Sequence, residues 1–241
     1  MHSSGASFSN AGRALKQIPH SPVSWTWVGV ILGIQTIVAI VGGPESLGSW
    51  FENLGLSREG FLSGKVWQIF THGFLHGGWW HAGLNALFVL VIGSRIEAIA
   101  GRPAMLKVPV AGVLGGGVCH LLLGSGLLVG FSGACLALLL LLTTLSPESR
   151  MFPVLVSGRS LGLGILSAEL ILALINPGLG VPGLAGIGAM LVDHGMGAWF
   201  QMGHACHFGG GLAGWAYGRW ILRPRVTLSR LRRERARREA G

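Results

Sequence analysis

Long apolar runs with few charges recur along this chain, and they constrain its fold more than any other feature. Trp25–Val41, Trp79–Ile99, Ala104–Leu123, Ser132–Leu145, Leu161–Ile175 and His204–Leu222 are such runs. Several approach the roughly 20 residues that span a hydrocarbon core. Inside lipid a backbone must satisfy its own polar groups, and for runs of this kind the helix does so. Composition agrees: 50% of residues are hydrophobic and only 11% are charged, with a mean hydropathy of +0.58. Soluble domains are about one quarter charged. The expectation is an all-α polytopic membrane protein of six helices, one domain over residues 25–222. A polar segment (1–24) precedes it and a basic tail (223–241) follows. The 41 glycines suit close helix–helix approach in lipid.

The fourth run stands apart. Fourteen residues, Ser132–Leu145, make a helix of about 21 Å, short of a core about 30 Å thick. The glycine-rich stretch before it, Gly124–Phe131, is apolar. The fourth helix is therefore expected to start inside the membrane, with the preceding loop dipping in from one side. Gly43–Gly78 is too polar to span, yet Trp50, Phe51, Phe61, Trp67 and Phe70 suit short amphipathic pieces in the headgroup region. Asn176–Gly203 reads as a glycine- and proline-rich loop.

Charge sets the orientation. Nine of the eighteen Lys and Arg residues fall at or after Arg219, and Arg13 and Lys16 precede the first helix without an acid. Arg95, Arg102 and Lys107 lie about the second turn, and Arg150 and Arg159 about the fourth. Positive-inside counting places both termini in the cytoplasm, and the number of helices must then be even, which agrees with six. The expected location is a bacterial inner membrane, with an organellar membrane as the alternative because Met1–Ser24 has bases and no acid, and the tail is expected to touch anionic lipid rather than nucleic acid. Cys119, Cys135 and Cys206 have no paired spacing, so neither a disulfide framework nor a cysteine metal site is expected.

Three places can carry chemistry. His81 and Asn85 are four residues apart on the second helix and share a face. Two polar groups in an apolar helix should face the bundle interior, as hydrogen-bond glue or as donors to a developing oxyanion. His207 on the sixth helix is followed by Gly210 and Gly214, a groove where a partner backbone can approach. A histidine at such a contact suits proton abstraction from a hydroxyl; a buried histidine satisfied by a carbonyl is the plainer reading. His204, one turn earlier, is the rival base. Ser132, between Gly130 and Gly133, stands at the mouth of the short helix, where unpaired N–H groups favour an anion. The five-residue elbow of soluble hydrolases is absent, because position 134 is alanine.

Together these residues resemble the rhomboid family of intramembrane serine proteases. The resemblance runs from about Trp67 to Tyr217. It includes Phe70-Thr-His72, His76, His81, Asn85, Gly93, Glu97, the run Gly130-Phe131-Ser132-Gly133, and His207 with Gly210 and Gly214. It implies a six-helix bundle with a partly embedded first loop. It implies Ser132 as nucleophile and His207 as general base, a dyad with no acid, and no metal or other cofactor. The Ser132 N–H, His81 and Asn85 would hold the oxyanion. Gly130, Gly133, Gly210 and Gly214 would be packing positions at the site. Transmembrane proteins would be the substrates, admitted past helix five and the Asn176–Gly203 loop.

The chain departs from the family pattern in three places. Gln68 stands where an arginine often braces the first loop. Leu136 stands where an aromatic residue often packs on the histidine, so a looser imidazole is expected. The run Leu138–Leu142 lacks a common glycine, so helix four is expected slightly farther from helix six. Three rivals remain: a metal site among His72, His76, His81, His204 and His207; an inactive rhomboid-like module that binds membrane proteins; and a histidine-lined transporter. The helix His-Glu-x-x-His of zinc proteases is missing. No internal repeat supports a transporter.

Overall fold

The structure is a computed structural model describing residues 18–151, 155–223 and 228–239. Arg13, Lys16 and Arg225 lie outside the described residues. The chain forms a helical bundle with one two-residue antiparallel strand pair, Arg150–Met151 with Val156–Ser157, as its only sheet among the described residues. Six helices build the bundle: α1 (Pro22–Ile40), α2 (Trp79–Phe88), α3 (Ser94–Leu123), α4 (Ser132–Leu145), α5 (Gly158–Leu174) and α6 (His204–Ile221). α1 and the stretch Trp79–Leu123 are each long and apolar enough to cross a membrane.

Trp79–Leu123 is not one continuous helix. A π-helical turn, Val89–Gly93, joins α2 to α3, and Gly101 (φ +82°) breaks α3. A Cβ on Gly93 would lie 2.6 Å from Cε of Met105. An unbroken helix would hold residues twelve apart about 18 Å from each other. The chain therefore folds back at Gly101, as the separate sequence runs ending at Ile99 and starting at Ala104 require. Glu97 sits beside this fold. Its carboxylate accepts from Val23 N–H (3.2 Å), Ser24 N–H (3.0 Å) and the Ser24 hydroxyl (3.0 Å), which satisfies the first turn of α1.

α4 is the centre. It is apolar on every side, as a helix buried all round must be. Ala134, Ala137, Leu138, Leu140, Leu141 and Leu142 are all buried. It packs chiefly on α6 and α3. Glycine makes both contacts possible. A Cβ on Gly112 would meet that of Ala137 at 2.6 Å, and side chains on Gly210 and Gly214 would strike the carbonyl oxygens of Gly133 and Ala137. α4 and α6 thus touch backbone to backbone at Gly133 and Ala137. The glycines that allow close approach stand on α6.

Both long loops carry more structure than their sequences suggest. The first holds four short helices, Gly43–Ser46, Gly48–Leu54, Arg58–Leu62 and Gln68–Thr71. Gln68 is fully buried and braces them: Nε2 donates to the Glu52 carbonyl at 2.9 Å, and Oε1 accepts from Ser57 N–H at 3.3 Å. Trp67 and Thr71 add bonds to the carbonyls of Asn53 (2.8 Å) and Leu54 (2.6 Å). In this chain an amide braces the first loop. Leu56 and Leu128 exchange backbone hydrogen bonds of 3.0 and 2.8 Å, tying this loop to the one before α4. The stretch read as the loop Asn176–Gly203 contains a helix, Leu184–Leu191, and further helical turns to Gln201.

Candidate active site

The site begins where α3 hands over to α4. Gly130 has φ +124°, a conformation that side chains rarely adopt, and a Cβ there would lie 2.6 Å from Cε1 of His81. Its N–H donates to the His72 carbonyl at 2.9 Å, and Phe131 N–H donates to Nε2 of His76 at 3.3 Å. Burial pushes the His72 and His76 imidazoles down to about 4, with His120 adding to the first and His81 to the second. His76 is thus neutral at pH 7 and able to accept. Phe131 is fully buried against Trp27 and Phe74, with ring centroids 5.2 and 6.1 Å away. These contacts set the position of Ser132, the first residue of α4.

Ser132 and His207 meet. The Ser132 hydroxyl lies 2.8 Å from Nε2 of His207, within hydrogen-bond reach for proton transfer. Gly210, one turn along α6, lets the α6 backbone lie against Gly133 and brings the ring to the hydroxyl. Asn85 is buried on α2. Its Oδ1 accepts from the Cys135 thiol at 3.6 Å, and its Nδ2 is buried with no partner among the described residues. His81 stands one turn earlier, its ring edge-to-face with His76 at 5.0 Å. His81, Asn85, Ser132, His204 and His207 line a cavity of about 480 Å³, bordered by Phe200–Gly203 from the long second loop. The arrangement offers a hydroxyl, a base and candidate oxyanion donors around one space.

A carboxylate stands beside the pair that was expected to have no acid. Glu169 of α5 reaches both histidines of α6: Oε1 lies 3.2 Å from Nδ1 of His207, and Oε2 lies 2.6 Å from Nδ1 of His204. A lone acid within an apolar span is costly and should face a partner inside the bundle. That signal was present at position 169 in the run Leu161–Ile175. The other nitrogen of His204, Nε2, lies 2.8 Å from the Trp199 carbonyl, so both its ring nitrogens face groups other than Ser132. The ligand-capable atoms of Glu169, His204 and His207 lie within 4.8 Å of one another, the one such cluster among the described residues. They are engaged with each other by hydrogen bonds.

Fold and site together define a class: helical bundles that enclose a serine and a histidine in a shared cavity. The chain belongs to the rhomboid family, whose Rhomboid domain matches residues 63–224. Proteins of this family are integral to membranes. The chain is similar to Rhomboid-like protein 16, chloroplastic, of Arabidopsis thaliana, at 39% identity over 29% of the chain and 22% of that protein. It is also similar to Rhomboid-like protein 17, chloroplastic, of the same plant, at 41% over 27% of the chain and 21% of that protein. Rhomboid-related protein 3 of Homo sapiens matches at 38% over 23% of the chain and 14% of its own length. The matches thus span about a fifth or less of these relatives.

Proposed function

We propose that this protein is a serine endopeptidase that cleaves transmembrane segments of membrane proteins. The observation that carries the reading is the 2.8 Å contact between the Ser132 hydroxyl and Nε2 of His207. Ser132 Oγ attacks the scissile carbonyl while His207 Nε2 takes its proton. The tetrahedral oxyanion forms beside the N–H groups that open α4, with Asn85 Nδ2 and His81 as further donors. His207 then gives its proton to the leaving amine. Water, deprotonated by His207, hydrolyses the acyl-enzyme. No metal or other cofactor takes part.

A helical substrate hides its carbonyls, so the segment must unwind to present one. Side chains on Gly130 and Gly133 would strike His81 and Cys206, so the space around them is tight, which favours small residues at the cut. The charge distribution supports cytoplasmic termini and a cut near the outer face. Labelling with a fluorophosphonate tests the reading against an inactive, binding-only protein. Label that appears in the wild type and disappears in Ser132→Ala supports an activated serine. Equal label in both refutes it.

A further inference from the structure

We infer that Glu169, backed by His204, is a positioning residue that holds His207 in the tautomer and orientation needed to accept the Ser132 proton. The inference rests on the serine-peptidase reading above and names how its base is aimed.

Hydrogen-bond bookkeeping around three side chains leads to it. A neutral imidazole has one donor and one acceptor nitrogen. For His207 to accept from Ser132, Nε2 must be bare and Nδ1 must carry the hydrogen. Oε1 of Glu169 lies 3.2 Å from Nδ1, where it accepts that hydrogen. A carboxylate cannot donate, so this contact selects the tautomer that leaves Nε2 free. Oε1 keeps this bond while Ser132 passes its proton to Nε2, so the ring stays aimed during the transfer.

His204 completes the arrangement. Its Nδ1 faces Oε2 of Glu169 at 2.6 Å and its Nε2 faces the Trp199 carbonyl at 2.8 Å. Both partners are acceptors. Both bonds are made together only when both nitrogens carry hydrogen, as in an imidazolium, whose charge Glu169 balances. The His204 side chain is 3% exposed and that of Glu169 18%, so the pair is shielded enough to persist. His204 thus anchors one oxygen of the carboxylate while the other reaches His207. The two histidines are on α6 and the acid on α5, so the geometry of the base depends on how these helices sit together. Neither His204 nor Glu169 touches the reacting atoms.

The test compares the wild type with Glu169→Gln, Glu169→Asp and Glu169→Leu in liposomes, using a single-span substrate and a fluorophosphonate. Loss of an orienting carboxylate in serine hydrolases costs up to about 10⁴ in kcat. Glu169→Gln is expected to lower kcat and labelling rate by roughly 10²-fold or more with KM little changed. Glu169→Asp is expected to recover part of the loss. ¹⁵N NMR of ring-labelled histidine reads the tautomer directly. The wild type should show His207 protonated at Nδ1, and Glu169→Leu, or Glu169→Gln if the leucine variant does not fold, should lose that preference. A Ser132-labelling enzyme whose Glu169 variants match the wild type in kcat and in His207 tautomer overturns this inference and leaves the peptidase reading standing. A wild type without Ser132-dependent label overturns the peptidase reading instead, and the inference with it.

Discussion

Gly210 of α6 lies directly against the carbonyl oxygen of Gly133, the residue after Ser132. This contact sets the distance between the helix that carries the base and the helix that carries the hydroxyl. Gly210→Ala inserts a methyl group where backbone stands, and overpacking of this kind costs typically about 1–3 kcal/mol. α6 must move outward, taking His207 from Ser132. We expect labelling of Ser132 by a fluorophosphonate to fall by at least tenfold, with a lower thermal midpoint in detergent. Wild-type labelling by this variant would show that the glycine contact does not set the pair.

Asn85 has a buried amide nitrogen with no partner among the described residues, while its oxygen faces Cys135. An unmet buried donor is costly, which suits a group that meets its acceptor during the reaction. Removing one oxyanion donor costs about 10²–10³ in kcat. Asn85→Ala should therefore lose activity mainly in kcat, with substrate affinity kept and Ser132 still labelled slowly. An effect confined to KM would assign Asn85 to substrate binding instead.

Gln68 is buried and holds three partners in the first loop. Gln68→Ala leaves the Glu52 carbonyl without its side-chain donor and opens a gap beside Gly60, at a cost of about 1–3 kcal/mol. Thermal unfolding in detergent should shift downward. Because Leu56 pairs with Leu128 near the site, the loop before α4 should also become more open to protease. An unchanged midpoint would remove Gln68 as the brace.

His76 links stability to pH. Its folded value of about 4 lies below the ordinary 6.5, so between these limits the unfolded chain binds more protons than the native one. Stability should fall as pH drops from about 6.5 toward about 4 and then level. His76→Gln, which can still accept from Phe131 N–H, should flatten that slope, though His72 titrates in the same window. A slope identical to wild type would exclude His76 as a source.

Much of this architecture was legible in the sequence, for reasons that differ by element. α4 begins at Ser132 and ends at Leu145 because an apolar run starts just after Gly130 and stops before Pro147. The fold-back near Gly101 was visible as a gap between two apolar runs. The helices of the first loop were not, since they are held by Gln68, Trp67 and Thr71 reaching distant carbonyls rather than by any periodicity. The helix Leu184–Leu191 was hidden by the glycines and prolines around it. Glu169 was the costliest omission. Read as one residue of an apolar helix, it left His207 with no acid and, with Leu136 in place of an aromatic residue, a loosely held ring. Its contact with His204 and His207 joins residues 35 and 38 positions apart, and only packing of α5 on α6 reveals it.

The central claim is that Ser132 and His207 form one catalytic unit. Cleavage of a single-span membrane substrate in liposomes, by wild type, Ser132→Ala, His207→Ala and His204→Ala, tests it most directly. The account predicts cleavage by the wild type, none by Ser132→Ala or His207→Ala, and reduced but measurable cleavage by His204→Ala. Retained cleavage in Ser132→Ala would contradict it, as would loss in His204→Ala with wild-type activity in His207→Ala.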